Sequence, residues 1–184
     1  DFVCIQNRDN IYLNQYDKKH DELLNWDWSH HNYRNSNINN YLKAAENLVI
    51  NGKFVIFTGL SEITSKKKLP EKIIEYNKSK INCDFMDIFL ASQCKFYICS
   101  DSGISTIPEC FRKALVITNF AAVRRIPLHV GIVNSIYLPK KFYSKSQKRL
   151  LSFKEIIDIE NNIIHFGNPK FKENYSDIDI LENS

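Results

Sequence analysis

The sequence has no C-x-x-C pair, no apolar run near the length that spans a membrane, and only five glycines. Its five cysteines (Cys4, Cys83, Cys94, Cys99, Cys110) are odd in number, and four lie in or beside apolar runs. That argues against a disulfide framework or a zinc site. Buried free thiols in a reducing compartment are expected instead. The first residues, Asp1-Phe2-Val3-Cys4-Ile5, carry neither the basic segment nor the long apolar core of a secretion signal. A cytoplasmic location is therefore expected. Acidic residues are missing from one long stretch: Arg112 to Lys154 holds ten Lys/Arg and no Asp or Glu. An anionic partner should meet that stretch, peripheral contact with the inner membrane included. Nucleic acid is not the expected partner, because no strand interleaves aromatic with basic residues and no recognition motif appears.

What is present is ordinary for a globular domain: 43% apolar, 25% charged and 12% aromatic residues in 184. At roughly 150 residues per domain, the length supports one domain over residues 1–160 and a polar, irregular tail over 161–184. Four short apolar runs read as buried strands: Phe2–Ile5, Phe54–Phe57, Lys95–Cys99 and Leu115–Ile117. Ile136–Leu138 is a weaker candidate, and Pro70–Tyr76 reads as a helix or a short strand. The apolar spacing of Ile38, Tyr41, Leu42, Ala45, Leu48 and Val49 predicts a helix over 38–51. Ser36 or Asn37 is its cap, and Gly52 follows in the left-handed position. A second helix runs from Asp84, as cap, to Ala91. Thr106-x-x-Glu109 and Ser152-x-x-Glu155 read as capping boxes opening two more. Strands alternating with helices define an α/β fold with a mostly parallel sheet and flanking helices. The first strand begins almost at residue 1, so a further segment upstream is expected.

Ligands of such sheets sit beyond the carboxyl ends of the strands. Ser100-Asp101-Ser102-Gly103, with Ser105, precedes a helix there. Hydroxyls and bare N–H groups in that setting suit a phosphate. The same residue types also make plain turns. Arg8-Asp9 follows the first strand, where Arg8 offers a diphosphate a bidentate fork or Asp9 an ion pair. Between Asp27 and Ser36 lies a run dense in titratable groups. In it His31 is a candidate general base, Arg34 a second cation, and His30-His31 a poor metal pair because adjacent side chains diverge. Asn119, after the fourth strand, is a further candidate ligand contact.

The series Asp27-Trp28-Ser29-x-His31-x-Tyr33-Arg34-Asn35-Ser36, Asn40-Tyr41-Leu42, Phe54-Val55-Ile56, Asp84-Phe85-x-Asp87-Ile88, Cys94-Lys95-Phe96 and Asp101-Ser102-Gly103 resembles a bacterial family of glycosyltransferases of surface-polysaccharide synthesis. The likeness runs from Phe2 to about Leu151. More distantly, Arg8-Asp9 and Ser100–Gly103 resemble the nucleotide-sugar domain of fucosyltransferase-like enzymes. Gln6-Asn7 stand where those enzymes have a His-containing approach to the Arg. The resemblance implies one Rossmann-like half of a glycosyltransferase B architecture that binds a nucleotide-diphosphate sugar. Transfer to a glycan or lipid-linked acceptor would need no metal and no cofactor. The ligand would meet Arg8, Asp9, Arg34, Ser100, Asp101, Ser102, Gly103, Ser105 and Asn119, with His31 as base. The acceptor domain would come from elsewhere, as a missing domain or partner chain, so residues 1–184 alone are expected to lack turnover. Two rivals fit the same fold: a non-catalytic sugar-nucleotide or protein-binding module, and a nucleotide-sugar epimerase.

Overall fold

The computed structural model describes residues 1–19, 28–125, 134–163 and 166–183. Six strands, β1 (Phe2–Gln6), β2 (Phe54–Phe57), β3 (Ile73–Glu75), β4 (Phe96–Ser100), β5 (Ala114–Phe120) and β6 (Ser135–Pro139), form one sheet in the order β3-β2-β1-β4-β5-β6. Every neighbouring pair is parallel. The fold is α/β and Rossmann-like. The order runs outward in both directions from β1 and β4, so the crossovers reverse between those two strands, as at a nucleotide-binding switch point.

The strands are apolar on both faces because both faces are covered. Val3, Ile5, Val55, Phe57, Ile73 and Ile98 pack with Ile38, Tyr41 and Ala45, beneath α2 (Leu42–Ile50). Cys4, Tyr97, Cys99, Leu115 and Ile117 face the other way, against Leu90 and Ala91 of α3 (Asp84–Gln93). The remaining α-helices among the described residues are α1 (Ile11–Lys19), α4 (Thr106–Cys110), α5 (Phe153–Asn161) and α6 (Pro169–Asn174). None of the described helices is long and apolar enough to cross a membrane.

Several local expectations need correcting. The helix expected over 38–51 is two pieces. Asn37 accepts from the Asn39 N–H (3.0 Å) and starts a 3-10 turn, Ile38–Tyr41, before α2 begins. Cys83 is the cap residue of α3, with Asp84 already in its first turn. Within Pro70–Tyr76 a short strand forms rather than a helix, limited to Ile73–Glu75, where Ile73 and Ile74 continue the sheet beyond β2. The capping box at Thr106 does not form. Gly103–Ser105 already turn as a 3-10 helix, and the Thr106 hydroxyl donates back to the Gly103 carbonyl at 2.7 Å. Gly52 does take the left-handed conformation, at φ 80°.

Residues 161–184 are not an irregular tail. They supply α6 and β9 (Ile178–Leu181), which pairs antiparallel with β7 (Lys141–Ser144), itself paired with β8 (Arg149–Leu150). Phe142, Ile156, Ile159, Phe166 and Phe171 make the core of this second, smaller layer. Gly167 is required there: a Cβ would lie 1.5 Å from the His30 carbonyl oxygen. Of the five thiols, Cys4, Cys94 and Cys99 are buried, whereas Cys83 and Cys110 are exposed, contrary to uniform burial. Both exposed cysteines sit at helix ends rather than on strands.

Candidate functional site

The site is built where β1 and β4 end side by side. The Ser100 hydroxyl, wholly buried, accepts from the Arg8 backbone N–H at 2.5 Å, and the Ser102 hydroxyl donates to Gln6 Oε1 at 3.1 Å. Two hydrogen bonds thus tie the loop after each strand to the last residue of the other strand. This is the reversal point of the sheet, where the diverging crossovers leave a crevice.

Charge gathers at the same edge. The Trp28–Arg34 segment, a 3-10 helix, folds over it, and Arg34 Nη2 bonds Asp101 Oδ1 at 3.0 Å. Arg34 Nε is buried and has no hydrogen-bond partner among the described residues. The Arg8 guanidinium donates from Nη1 to the His31 carbonyl (3.3 Å) and to Asn35 Oδ1. Burial first, then the charge of Arg34, holds the Arg8 pKa below its ordinary value, against the pull of Asp101. A third cation, Lys140, follows β6 at 6% exposure and donates to the Asn35 carbonyl at 2.6 Å. Burial lowers its pKa, opposed by Glu182 and Asp101. Arg34 is thus answered by Asp101, while Arg8 and Lys140 feel Asp101, Asp9 and Glu182 without a direct ion pair to any of them among the described residues.

The other expected residues fall as follows. Asp9 does not pair with Arg8: its carboxylate accepts from Ile11 N–H (2.9 Å) and from the Ser61 hydroxyl, which closes the start of α1. The Ser105 hydroxyl is spent on the Ser102 carbonyl at 2.9 Å. Gly103 is exposed, and a Cβ there would meet nothing within 4 Å, so the loop presents open backbone to solvent. The first N–H groups of such a turn have no partner inside it. The helix behind them, α4, has only five residues and brings little dipole of its own. Asn119 is 1% exposed, with Oδ1 taking the Asn183 N–H (2.7 Å) and Nδ2 reaching Tyr41 Oη (3.4 Å). It anchors β9 rather than the crevice. His31 is half-buried, its ring stacked near Trp28 (6.0 Å between centroids) and beside His30 (4.0 Å). Asp27 lies outside the described residues.

The basic stretch does not make a single surface. Arg112 and Lys113 lie at the amino end of β5, Lys140 at the carboxyl end of β6, and 126–133 outside the described residues. Arg149 is paired with Glu155 (2.6 Å) and Lys145 with Asp179 (3.4 Å), so part of that charge is answered locally. Among the described residues, no cluster of three or more His, Cys, Asp or Glu is arranged to hold a metal. Sequence reasoning missed Asn35 as a contact of Arg8, and missed Lys140 as an individual residue. Asn35 carries no local signal in so asparagine-rich a chain, and Lys140 is one of ten cations in its run. No family profile, curated protein or solved structure matches the chain.

Proposed function

We propose that this chain is the nucleotide-sugar-binding domain of a glycosyltransferase, with the diphosphate seated between the loops after β1 and β4. The observation that carries the reading is the convergence of Arg8, Arg34 and the open Ser102–Gly103 backbone on the reversal point of a parallel sheet. A nucleoside diphosphate needs that combination: a crevice at the strand ends, directed backbone donors and fixed cations. As the glycosidic bond breaks, the bonding pair and its negative charge stay on the leaving diphosphate. Arg8 and Arg34, held in place beforehand, stabilise that charge without moving. The acceptor hydroxyl gives its proton to a base. His31, next to Arg8 through its own carbonyl, is the base proposed here, and the acceptor is a glycan or lipid-linked sugar bound by a second domain or chain.

A thermal-shift panel of UDP-, GDP-, CMP- and dTDP-sugars tests the reading, since a ligand that binds only the native state raises the Tm. One nucleotide class should stabilise the protein. A charge-assisted Arg contact is worth roughly 1.5–3 kcal/mol, so Arg8→Ala should weaken binding about 10- to 150-fold. Arg8→Lys should recover only part, because the planar fork is lost. Unchanged affinity in a folded Arg8→Ala protein would remove the anion site from this edge. Binding with no transfer by the complete protein would instead favour a non-catalytic module.

A further inference from the structure

The Arg8 guanidinium is held from one side. Nη1 is committed to Asn35 Oδ1 and the His31 carbonyl, while Nε and Nη2 make no hydrogen bond among the described residues. Nε and Nη2 are the side-on edge of the guanidinium, two parallel donors that two oxygens of one phosphate accept together.

Asn35 is itself fixed from several directions. Its Nδ2 donates to Asn10 Oδ1 at 3.0 Å and to Asn32 Oδ1 at 3.4 Å, and Asn10 Nδ2 donates to Asn32 Oδ1 at 2.8 Å. With the amide nitrogen set among oxygen acceptors, the amide oxygen is the atom turned to the arginine. The Asn35 carbonyl takes the buried Lys140 ammonium. One residue further on, the Ser36 N–H donates to the Arg8 carbonyl (2.9 Å), and Asn7 Nδ2 donates to the Ser36 carbonyl (2.8 Å). Main chain and side chain are therefore both clamped.

We infer that Asn35 is a positioning residue, which holds Nη1 of Arg8 so that the Nε–Nη2 edge is presented to an anionic ligand of the diphosphate class. The inference rests on the anion-binding reading of the β1/β4 edge and adds which donor edge serves it and what aims that edge. A guanidinium aimed in advance loses less rotamer freedom when the ligand arrives. The competing role is that of a staple, in which Asn35 only holds the Trp28–Arg34 segment down.

The test is titration of inorganic pyrophosphate into the wild-type protein, Arg8→Ala, Asn35→Ala and the double variant, with the Tm of each measured alongside. Asn35→Ala leaves the main-chain carbonyl for Lys140 in place. It should weaken pyrophosphate by about tenfold, the worth of one charge-assisted hydrogen bond. In the Arg8→Ala background the same change should cost nothing further, because there is no guanidinium left to aim. Equal losses in both backgrounds, or none in either, would overturn the positioning role while leaving the Arg8 site standing. If Arg8→Ala itself has no effect, the anion-binding reading fails first. Should Asn35→Ala not fold, nitrogen NMR of the wild-type protein decides. Distinct Nη1 and Nη2 signals for Arg8 at low temperature are expected, and one averaged signal would contradict a held guanidinium.

Discussion

Lys140 illustrates what a buried charge does to the pH dependence of a single residue. Among the described residues its ammonium has one hydrogen bond, to Asn35, and burial pushes its pKa down. The charged form is thus disfavoured in the folded chain relative to the unfolded one. That penalty is in full force below the folded pKa and is relieved as pH rises toward the ordinary 10.5. Such a residue is kept for its position rather than for stability. The thiols give a direct check at the same scale. Burial pushes the Cys99 thiol up, and Cys4 is raised by its contact with Cys94 and by burial. A thiol reagent should label Cys83 and Cys110 quickly in the native protein and all five cysteines in denaturant. Fast native labelling of Cys4 or Cys99 would contradict the packing of β1 against β4. Arg8 and Ser102 could be picked out in the sequence because each stands directly beyond a recognisable strand. Asn35 and Lys140 could not, since their contacts join positions 27 and 105 residues apart.

Two tetrapeptides of the same pattern behave differently at the level of the element, and backbone conformation explains it. A capping box needs a cap residue outside helical φ/ψ. Ser152 is extended (φ −72°, ψ 161°) and forms the complete box with Glu155, whereas Thr106 (φ −68°, ψ −26°) is already helical because a 3-10 turn precedes it. Ser152→Ala should therefore cost about 1 kcal/mol. Thr106→Ala removes no cap. Glu155 is held down to about 2, first by Arg149 and then by the Ser152 backbone and hydroxyl. Its folded pKa lies below the ordinary 4.5, so its contribution is present above that value and fades as pH falls through about 2. Urea unfolding should show Glu155→Gln less stable than wild type at pH 7, with the gap closing toward pH 2. A gap that persists at pH 2 would mean that the carboxylate is not what stabilises α5. The sequence located α2 and α3 and offered Asn37 as a cap. The start of α2 moved to Leu42 because Asn37 caps a 3-10 turn instead, and α3 takes Cys83, with no side-chain cap bond, as its cap residue.

For the whole molecule, the alternation of apolar runs with helical spacing carried the parallel sheet, and the right-handed crossover rule restricts how its strands connect. The strand order, and with it the position of the reversal, depends on which strands become neighbours and is not written in any one segment. The second layer stayed hidden for a related reason. Its core is assembled from Phe142, Ile156, Phe166 and Phe171, spread through short elements too brief to show a period. Both layers meet at the crevice rim: Glu182, just beyond β9, accepts from Asn37 N–H (2.5 Å) and Asn40 Nδ2 (2.8 Å). The central claim is that the sheet reversal between β1 and β4 binds a nucleoside diphosphate. Backbone amide NMR of the protein titrated with UDP, GDP, CDP and dTDP tests it most directly. At least one of them is expected to move the amides of Arg8, Ser102 and Gly103 together, saturably and at one common Kd. Shifts confined to other parts of the molecule, or none with any of the four, would contradict it.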